Sequence, residues 1–572
     1  MKLLDIMDGF EFISETLTSW GINMYSGVTG GGVIHYLKDI APLKGTAGDE
    51  PEFLNLAEYP AGYTTLGFYL ASGRIAAAVA TTGAATKLIG CGLSECKYHD
   101  IPAVYIVPVS NPSEDGFSPL QDTSRYGNNI VEQLRAELPD SVFVFNSVAT
   151  IGKQLMLAKT QLDRSKPVVF VLDNEVLNKP LSKRPVLKSE KVVKLPEKEI
   201  ETFVNEFRKA ADKKRLVILV GEETARYPDA KKLTTQLSKE LKAAVIWSIN
   251  GANAVSRDNP YGYGYISFGG NDKAISLYKS IGKKDVLLVL GASFDEYTVN
   301  LKKINASHTF FLGNIPDAYT LVNNSMKHTV KGEYTQLNAP LDMVMRHLIE
   351  EAKQKAFTNK PVDYAPDYLN DKPFARPRKG YVDMADFYQR IDQWWPADSI
   401  GIDDVCLAYK DRQYVIQRPN DKVNYYSLYR GSAMGGAFGV AVGAKLARPS
   451  DPVVLFTGDG CFRLFAGTLG EVRNLGIVVF VLNNEDLSIV GQGLPTILPD
   501  VPEANYHAKL ESIDYCGVAK ACGWDAEKLN PDLSNLEEIL KRMKSKKKKS
   551  LLIEIPVDAD QILGTNPRLE NL

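Results

Sequence analysis

The residues of this chain best suited to chemistry lie in the run DPVVLFTGDGCFRLFAGTLGEVRNLGIVVFVLNNEDLS, residues 451–488. It reads as an apolar strand, a glycine turn, a helical pattern, a second apolar strand and a polar pair. Gly458-Asp459-Gly460 closes the first strand and Asn483-Asn484 closes the second. Asp459 offers a carboxylate, Asn484 an amide oxygen and Asp486 a backbone carbonyl. Such donors suit magnesium, which takes oxygen ligands, few of them from protein and the rest from phosphate and water. The glycines let the backbone approach a phosphate, and the start of a helix adds a positive dipole. The set is therefore fitted to a magnesium-bridged diphosphate. Gly-Asp-Gly alone is also an ordinary turn; its conjunction with the strand, the helix and the asparagine pair points to chemistry.

To bring Asp459 and Asn484 together, the two strands must lie side by side and parallel. Both turns then share the carboxyl edge of one sheet, where open α/β sheets bind ligands. The expected fold class is α/β, with three doubly wound parallel-sheet domains. Residues 1–186 form the first block, with strand-like runs at Ala76–Ala80, Ala103–Val107 and Val168–Leu172. Residues 190–355 form the second, with buried-strand runs at Leu216–Val220, Ala244–Trp247, Val286–Leu290 and Thr309–Leu312. Residues 380–572 form the third, with strands at Val453–Phe456, Val478–Leu482 and Leu551–Ile555. Asn178–Pro196 and the proline-bearing stretch Lys355–Lys379 read as linkers. Blocks one and three share a layout, as an old duplication would leave them. After Asp459, apolar residues at Phe465, Leu469 and Val472 predict one helix.

Bulk properties exclude several classes. The chain has 572 residues, too many for one hydrophobic core. Its 67 basic and 69 acidic residues nearly balance, so neither a nucleic-acid nor a membrane partner is expected. The opening MKLLDIMDGFEFISETL carries early acids and reads as an amphipathic helix, not a signal peptide. The six cysteines lack metal spacing, which fits free thiols, a reducing compartment and a cytoplasmic location. Lys546–Lys549 reads as a solvated loop before the last strand rather than a basic address.

Gly-Asp-Gly, helix, strand and Asn-Asn resemble the cofactor motif of thiamine diphosphate (ThDP) enzymes, the superfamily of acetolactate synthase, pyruvate oxidase and pyruvate decarboxylase. The likeness runs through the chain. Gly21–Gly32 is similar to the family's opening strand and glycine turn, with Thr29 in place of a usual proline. Asn55–Gly62 is similar to the segment carrying its activating glutamate, here Glu58. Thr82–Lys87 (TGAATK) stands where SGPGATN is usual. Gly431–Gly436 (GSAMGG) resembles the segment that grips the cofactor's pyrimidine. The resemblance implies ThDP and magnesium as cofactors. Glu58 would bond the pyrimidine nitrogen N1′ and promote the reactive tautomer. The Ser432 carbonyl would accept from the 4′-amino group, and Met434 would wedge the cofactor bent. Asp459, Gly460 and Cys461 would hold the diphosphate, with Asp459, Asn484 and Asp486 on the metal. Read without the family, Glu58 is a helix-opening acid and Met434 a core filler. In relatives Glu58 and the Gly431–Gly436 segment come from different subunits. The resemblance thus implies a homo-oligomer with active sites at the subunit interface.

Reaction type follows from the pocket, since the cofactor carries the hard step. The substrate expected is a small-molecule 2-oxo acid. None of the six histidines is adjacent to another, whereas simple decarboxylases of the family carry a His-His pair. The place of their glutamate after Asn-Asn is taken by Val490. Asn483–Gln492 and the loop Phe117–Asp122, with Gln121 near the thiazolium, are closer to acetolactate synthase, although Gly493 stands at about the place of its tryptophan. The leading expectation is a carboligase or lyase. A non-oxidative decarboxylase is the alternative, and an inactive structural or regulatory subunit is a third. His35 reads as a loop residue or a substrate-facing one. Cys461 reads as the small residue at a helix start, not a nucleophile. Some relatives bind FAD or ADP in the middle domain. Gly221-Glu222-Glu223 and Gly291-Ala292-Ser293 lack the dinucleotide fingerprint, so no nicotinamide is expected and FAD stays open.

Overall fold

A computed structural model of the chain describes residues 7–44, 50–181, 184–185, 187, 197–319, 328–544 and 549–571. Most of the Asn178–Pro196 linker, the start of the first amphipathic run and Lys546–Lys548 lie outside the described residues. The first helix, Gly9–Ser19, opens on Asp8 and Glu11, which cap each other's backbone N–H groups.

Three sheets, parallel throughout, form the frame. The first lies in the spatial order Ala41–Pro42, Glu52–Asn55, Met24–Gly27, Ala77–Val79, Val104–Pro108, Val168–Leu172, Val142–Phe145. The central sheet runs Gly262–Tyr265, Ala244–Trp247, Arg215–Val220, Asp285–Leu290, His308–Gly313, Glu333–Asn338. The third runs Val423–Ser427, Ser399–Asp403, Val453–Gly458, Ile477–Asn483, Leu551–Pro556, Asp525–Lys528. Without its two-residue edge strand, the first sheet has chain order 2-1-3-4-6-5, and the third has the same order. The central sheet has order 3-2-1-4-5-6, with its switch point between Arg215–Val220 and Asp285–Leu290.

The central strands of each sheet are β-branched and apolar and are buried on both faces, as parallel sheets require. Two helices join the first and third sheets. Glu58–Ser72 and Gly436–Ala447 are apolar nearly all round, and helices of that kind are buried on every side. They pack with backbones almost touching. A Cβ on Gly439 would sit 2.1 Å from the Pro60 carbonyl oxygen, and one on Gly443 would sit 2.0 Å from that of Thr64. The matched steps, 60 to 439 and 64 to 443, make the helices parallel, so their N-termini lie together.

The outer strand Val423–Ser427 is covered by the central domain. Asn253 donates to the Tyr425 carbonyl (2.7 Å) and accepts from its N–H (2.9 Å). Asn250 does the same at Ser427, at 3.3 and 2.9 Å.

Candidate active site

Strand Val453–Gly458 pairs in register with Ile477–Asn483, Gly458 opposite Leu482, so the two turns are neighbours. Asp459 is 2% exposed. Its Oδ1 accepts from the Gly460 N–H (2.9 Å) and its Oδ2 from the Glu485 N–H (2.8 Å). Burial pushes its carboxyl up to about 6, the mark of an anion short of a counter-charge. Glu485 adopts φ +53°, which turns the chain back over Asp459. Asn484 donates from Nδ2 to Ser488 Oγ (2.7 Å) and accepts at Oδ1 from the Asp486 N–H (3.1 Å). Asp486 pairs with Lys509 at 2.8 Å through Oδ2, while its buried Oδ1 has no partner. Asp459, Asn484 and Asp486 thus form one constellation, linked through the backbone of Glu485 and able to meet a cation.

The helix after this turn departs from expectation. Phe465, Leu469 and Val472 are buried, but the segment is a short α-turn, Asp459–Phe462, and a 3₁₀ stretch, Ala466–Val472. Gly467 and Gly470 lie in the second piece, and each glycine costs an α-helix about 1 kcal/mol relative to alanine. A four-residue helix has little dipole. An anion here would be met by individual N–H groups.

Over the turn lies the segment Gly431–Gly436. Ser432 takes φ +50° and its hydroxyl donates to the Tyr429 carbonyl (2.6 Å). The Met434 methyl lies 3.1 Å from where a Cβ on Gly460 would stand, beside Leu487 and Leu510. Met434 therefore caps the glycine turn with an apolar wall. Asp404, which no motif signalled, holds this arrangement. It follows strand Ser399–Asp403 at the third sheet's switch point and is fully buried. It accepts from Thr457 Oγ1 (2.7 Å), the Val405 N–H (2.9 Å) and the Gly435 N–H (3.1 Å). Burial pushes its carboxyl up to about 6. Cys461 donates from Sγ to the Val405 carbonyl (3.2 Å), and burial holds its thiol well above its ordinary range. It is a neutral packing group there.

Glu58 is the first residue of its helix, half-buried, with Tyr59 and Tyr63 edge-to-face behind it at 5.5 Å. The Tyr59 hydroxyl donates to the Met434 carbonyl. Tyr59, the residue after Glu58, thus touches the Gly431–Gly436 segment of the same chain. The glycine-lined helix pair brings these two helix starts together. Gln121 stands apart, exposed at φ +58°. With His35, Thr82, Gly31 and Gly32 it lines a cavity of about 450 Å³ at the carboxyl edge of the first sheet. Phe117 and Leu120 beside it are 84% and 90% exposed.

Residues 209–315 match the model of the thiamine pyrophosphate enzyme central domain, and residues 408–555 match that of the C-terminal TPP binding domain. The chain thus carries the central and C-terminal TPP binding domains of thiamine pyrophosphate enzymes. The second match contains Met434, Asp459, Asn484 and Asp486. Among curated relatives, the chain is 24% identical over 510 residues to Escherichia coli K12 acetolactate synthase isozyme 2 large subunit, covering 85% of this chain and 84% of that one. It is 22% identical over 587 residues to the isozyme 1 large subunit of the same organism, with 97% and 94% covered. A probable acetolactate synthase large subunit from Methanocaldococcus jannaschii is 22% identical over 596 residues, with 99% and 95% covered. The fold is shared with a Rhodococcus jostii RHA1 thiamine diphosphate-dependent 4-hydroxybenzoylformate decarboxylase (TM-score 0.74, 16% identity, 97% of this chain and 100% of that one). Among the described residues no helix is long and apolar enough to cross a membrane.

Proposed function

We propose that this ThDP enzyme requires magnesium, decarboxylates a 2-oxo acid and joins the retained fragment to a second carbonyl compound, as an acetolactate synthase does. The observation that carries the reading is the buried Asp459 turn, bonded to Glu485 beside Asn484 and roofed by Met434, with Glu58 one residue from the Tyr59–Met434 contact.

The donor set fits the group. Each Asp459 oxygen keeps a lone pair after its backbone bond, and Asp486 adds its backbone carbonyl two residues beyond Asn484. Asp459, Asn484 and Asp486 would hold magnesium, with Gly460 and Cys461 against the diphosphate. When bound, ThDP supplies a carbon nucleophile and stores the electrons released by decarboxylation. Glu58 holds a proton at the pyrimidine nitrogen and returns it, for which its half-buried place suits it. The Ser432 carbonyl, turned by its left-handed backbone, orients the 4′-amino group. Met434, Leu487 and Leu510 exclude water from the turn. Gln121 and His35 serve the substrate, since their cavity opens on the sheet edge that also bears Glu58.

The deciding experiment is an NMR time course with ThDP, magnesium and pyruvate. Acetolactate or acetoin is the expected product. Acetaldehyde alone would replace the carboligase reading with a decarboxylase. Failure of the protein to bind ThDP would overturn the whole proposal.

A further inference from the structure

The switch point of the central sheet is filled by a side chain from the third domain. The carboxyl ends of Arg215–Val220 and Asp285–Leu290 lead into Glu222 and Asp295. Open sheets of this strand order commonly receive a nucleotide in that crevice. Here Arg430 enters instead, its side chain 4% exposed, with Nη1 2.6 Å from Glu222 and Nε 2.8 Å from Asp295. Nη1 also donates to the Tyr98 carbonyl (2.6 Å). From the first domain, His99 lies between Glu222 (3.1 Å) and Glu95 (3.0 Å). Glu95 in turn accepts from the Gly431 N–H (3.3 Å). The backbone passes close to it there: a Cβ on Gly431 would fall 2.0 Å from the Glu95 carboxylate. All three domains thus converge on the residue that precedes GSAMGG.

We infer that Arg430 is a positioning residue for cofactor binding: clamped by Glu222 and Asp295 of the central domain, it fixes the entry of the Gly431–Gly436 segment over the diphosphate turn. The inference rests on the reading of that segment as the pyrimidine holder. A guanidinium meets two carboxylates and a carbonyl at once in a fixed plane, which an ammonium on a flexible stem does not reproduce. A buried charge deprived of a partner is costly, so the cluster holds as a unit. The central domain, distant in sequence from every proposed cofactor ligand, thereby shapes the cofactor site.

The test compares wild type, R430K and R430Q by calorimetric titration with ThDP and magnesium. R215K serves as a control: Arg215 pairs with Asp285 (2.8 Å) at the opposite edge of the same sheet. Expected is a weakening of ThDP binding by about 10–100-fold in R430K, the range for groups that orient ligands from behind, and more in R430Q. R215K should lose thermal stability but keep wild-type affinity. Equal affinity in wild type and R430K, or an equal loss in R215K, overturns the inference. Should R430Q fail to fold, R430K decides alone. Absence of binding in wild type would overturn the functional reading instead. The clamp is then decided by hydrogen exchange: faster exchange at residues 431–435 in R430K but not R215K upholds it, and unchanged exchange rejects it.

Discussion

The first and third sheets have one strand order and two kinds of edge. In the third, the switch point carries buried acids, Asp404 and Asp459, held by backbone N–H groups. In the first, the corresponding turn, Ala80–Gly83, carries small and hydroxyl groups, and the candidate catalytic acid Glu58 follows an adjoining strand, Glu52–Asn55. Identical wiring thus supports opposite electrostatics. The scaffold decides where turns lie, and a few residues in each turn decide the charge of the edge.

That division of labour can be broken from either side. The largest effect is expected from Glu58→Gln, with activity falling by about 10²–10⁴-fold, the usual worth of a general acid–base, while calorimetry shows ThDP still bound. Full turnover would remove Glu58 from the chemistry. Asp459→Ala should act on binding, raising the ThDP needed for half-saturation by more than about 100-fold, because it deletes a proposed metal ligand rather than a supporting group. Unchanged affinity would relocate the metal site. Mixing these two variants sharpens the comparison. Recovered activity is expected where Glu58 of one chain serves the Asp459 turn of another, whereas a mixture as inactive as its parents would place both residues of a site in one chain.

Smaller effects test the junctions. Gly439→Ala should destabilise by at least about 1–3 kcal/mol, the cost of overpacking, and a melting curve reads it. The ion cluster predicts an alkaline dependence. Burial alone would lower the His99 pKa, but Glu222 and Glu95 outweigh burial and the nearby Arg430 and raise it to about 9. Arg226, donating to the His99 carbonyl, and Tyr429, edge-on at 5.5 Å, complete its surroundings. The stabilisation is full below the unfolded value near 6.5 and is lost as pH rises through about 9. Wild type should lose melting temperature between those values more steeply than H99Q. The smallest effect is expected from FAD or ADP, which must displace Arg430 to enter the central crevice. A saturable calorimetric signal would contradict that closure.

The apolar strands were legible from sequence because burial on both faces demands an uninterrupted run. Val168–Leu172 and Ala244–Trp247 coincide with their expected bounds, and several others differ by a residue or two. Edge strands escaped: Glu333–Asn338 and Asp525–Lys528 are largely polar, since one side faces water. The helix after Asp459 was overestimated because spacing alone ignores Gly467 and Gly470. Asp459, Asn484 and Asp486 were found together because one strand–turn pair carries them. Asp404, Tyr59 and Arg430 were not, since each acts through partners far off in sequence and bears no motif. Gln121 was placed by resemblance alone, and neither Tyr59 nor Met434 lines its cavity.

The amides of Asn250 and Asn253 have a consequence outside catalysis. An outer strand with free N–H and C=O groups is a template on which another chain can polymerise. By offering side-chain mimics of a backbone, the two asparagines saturate Tyr425 and Ser427 without adding a strand that could itself be extended. Replacing both would leave the third sheet open along one flank, and the first sign would be fibrillar aggregation on storage rather than lost turnover.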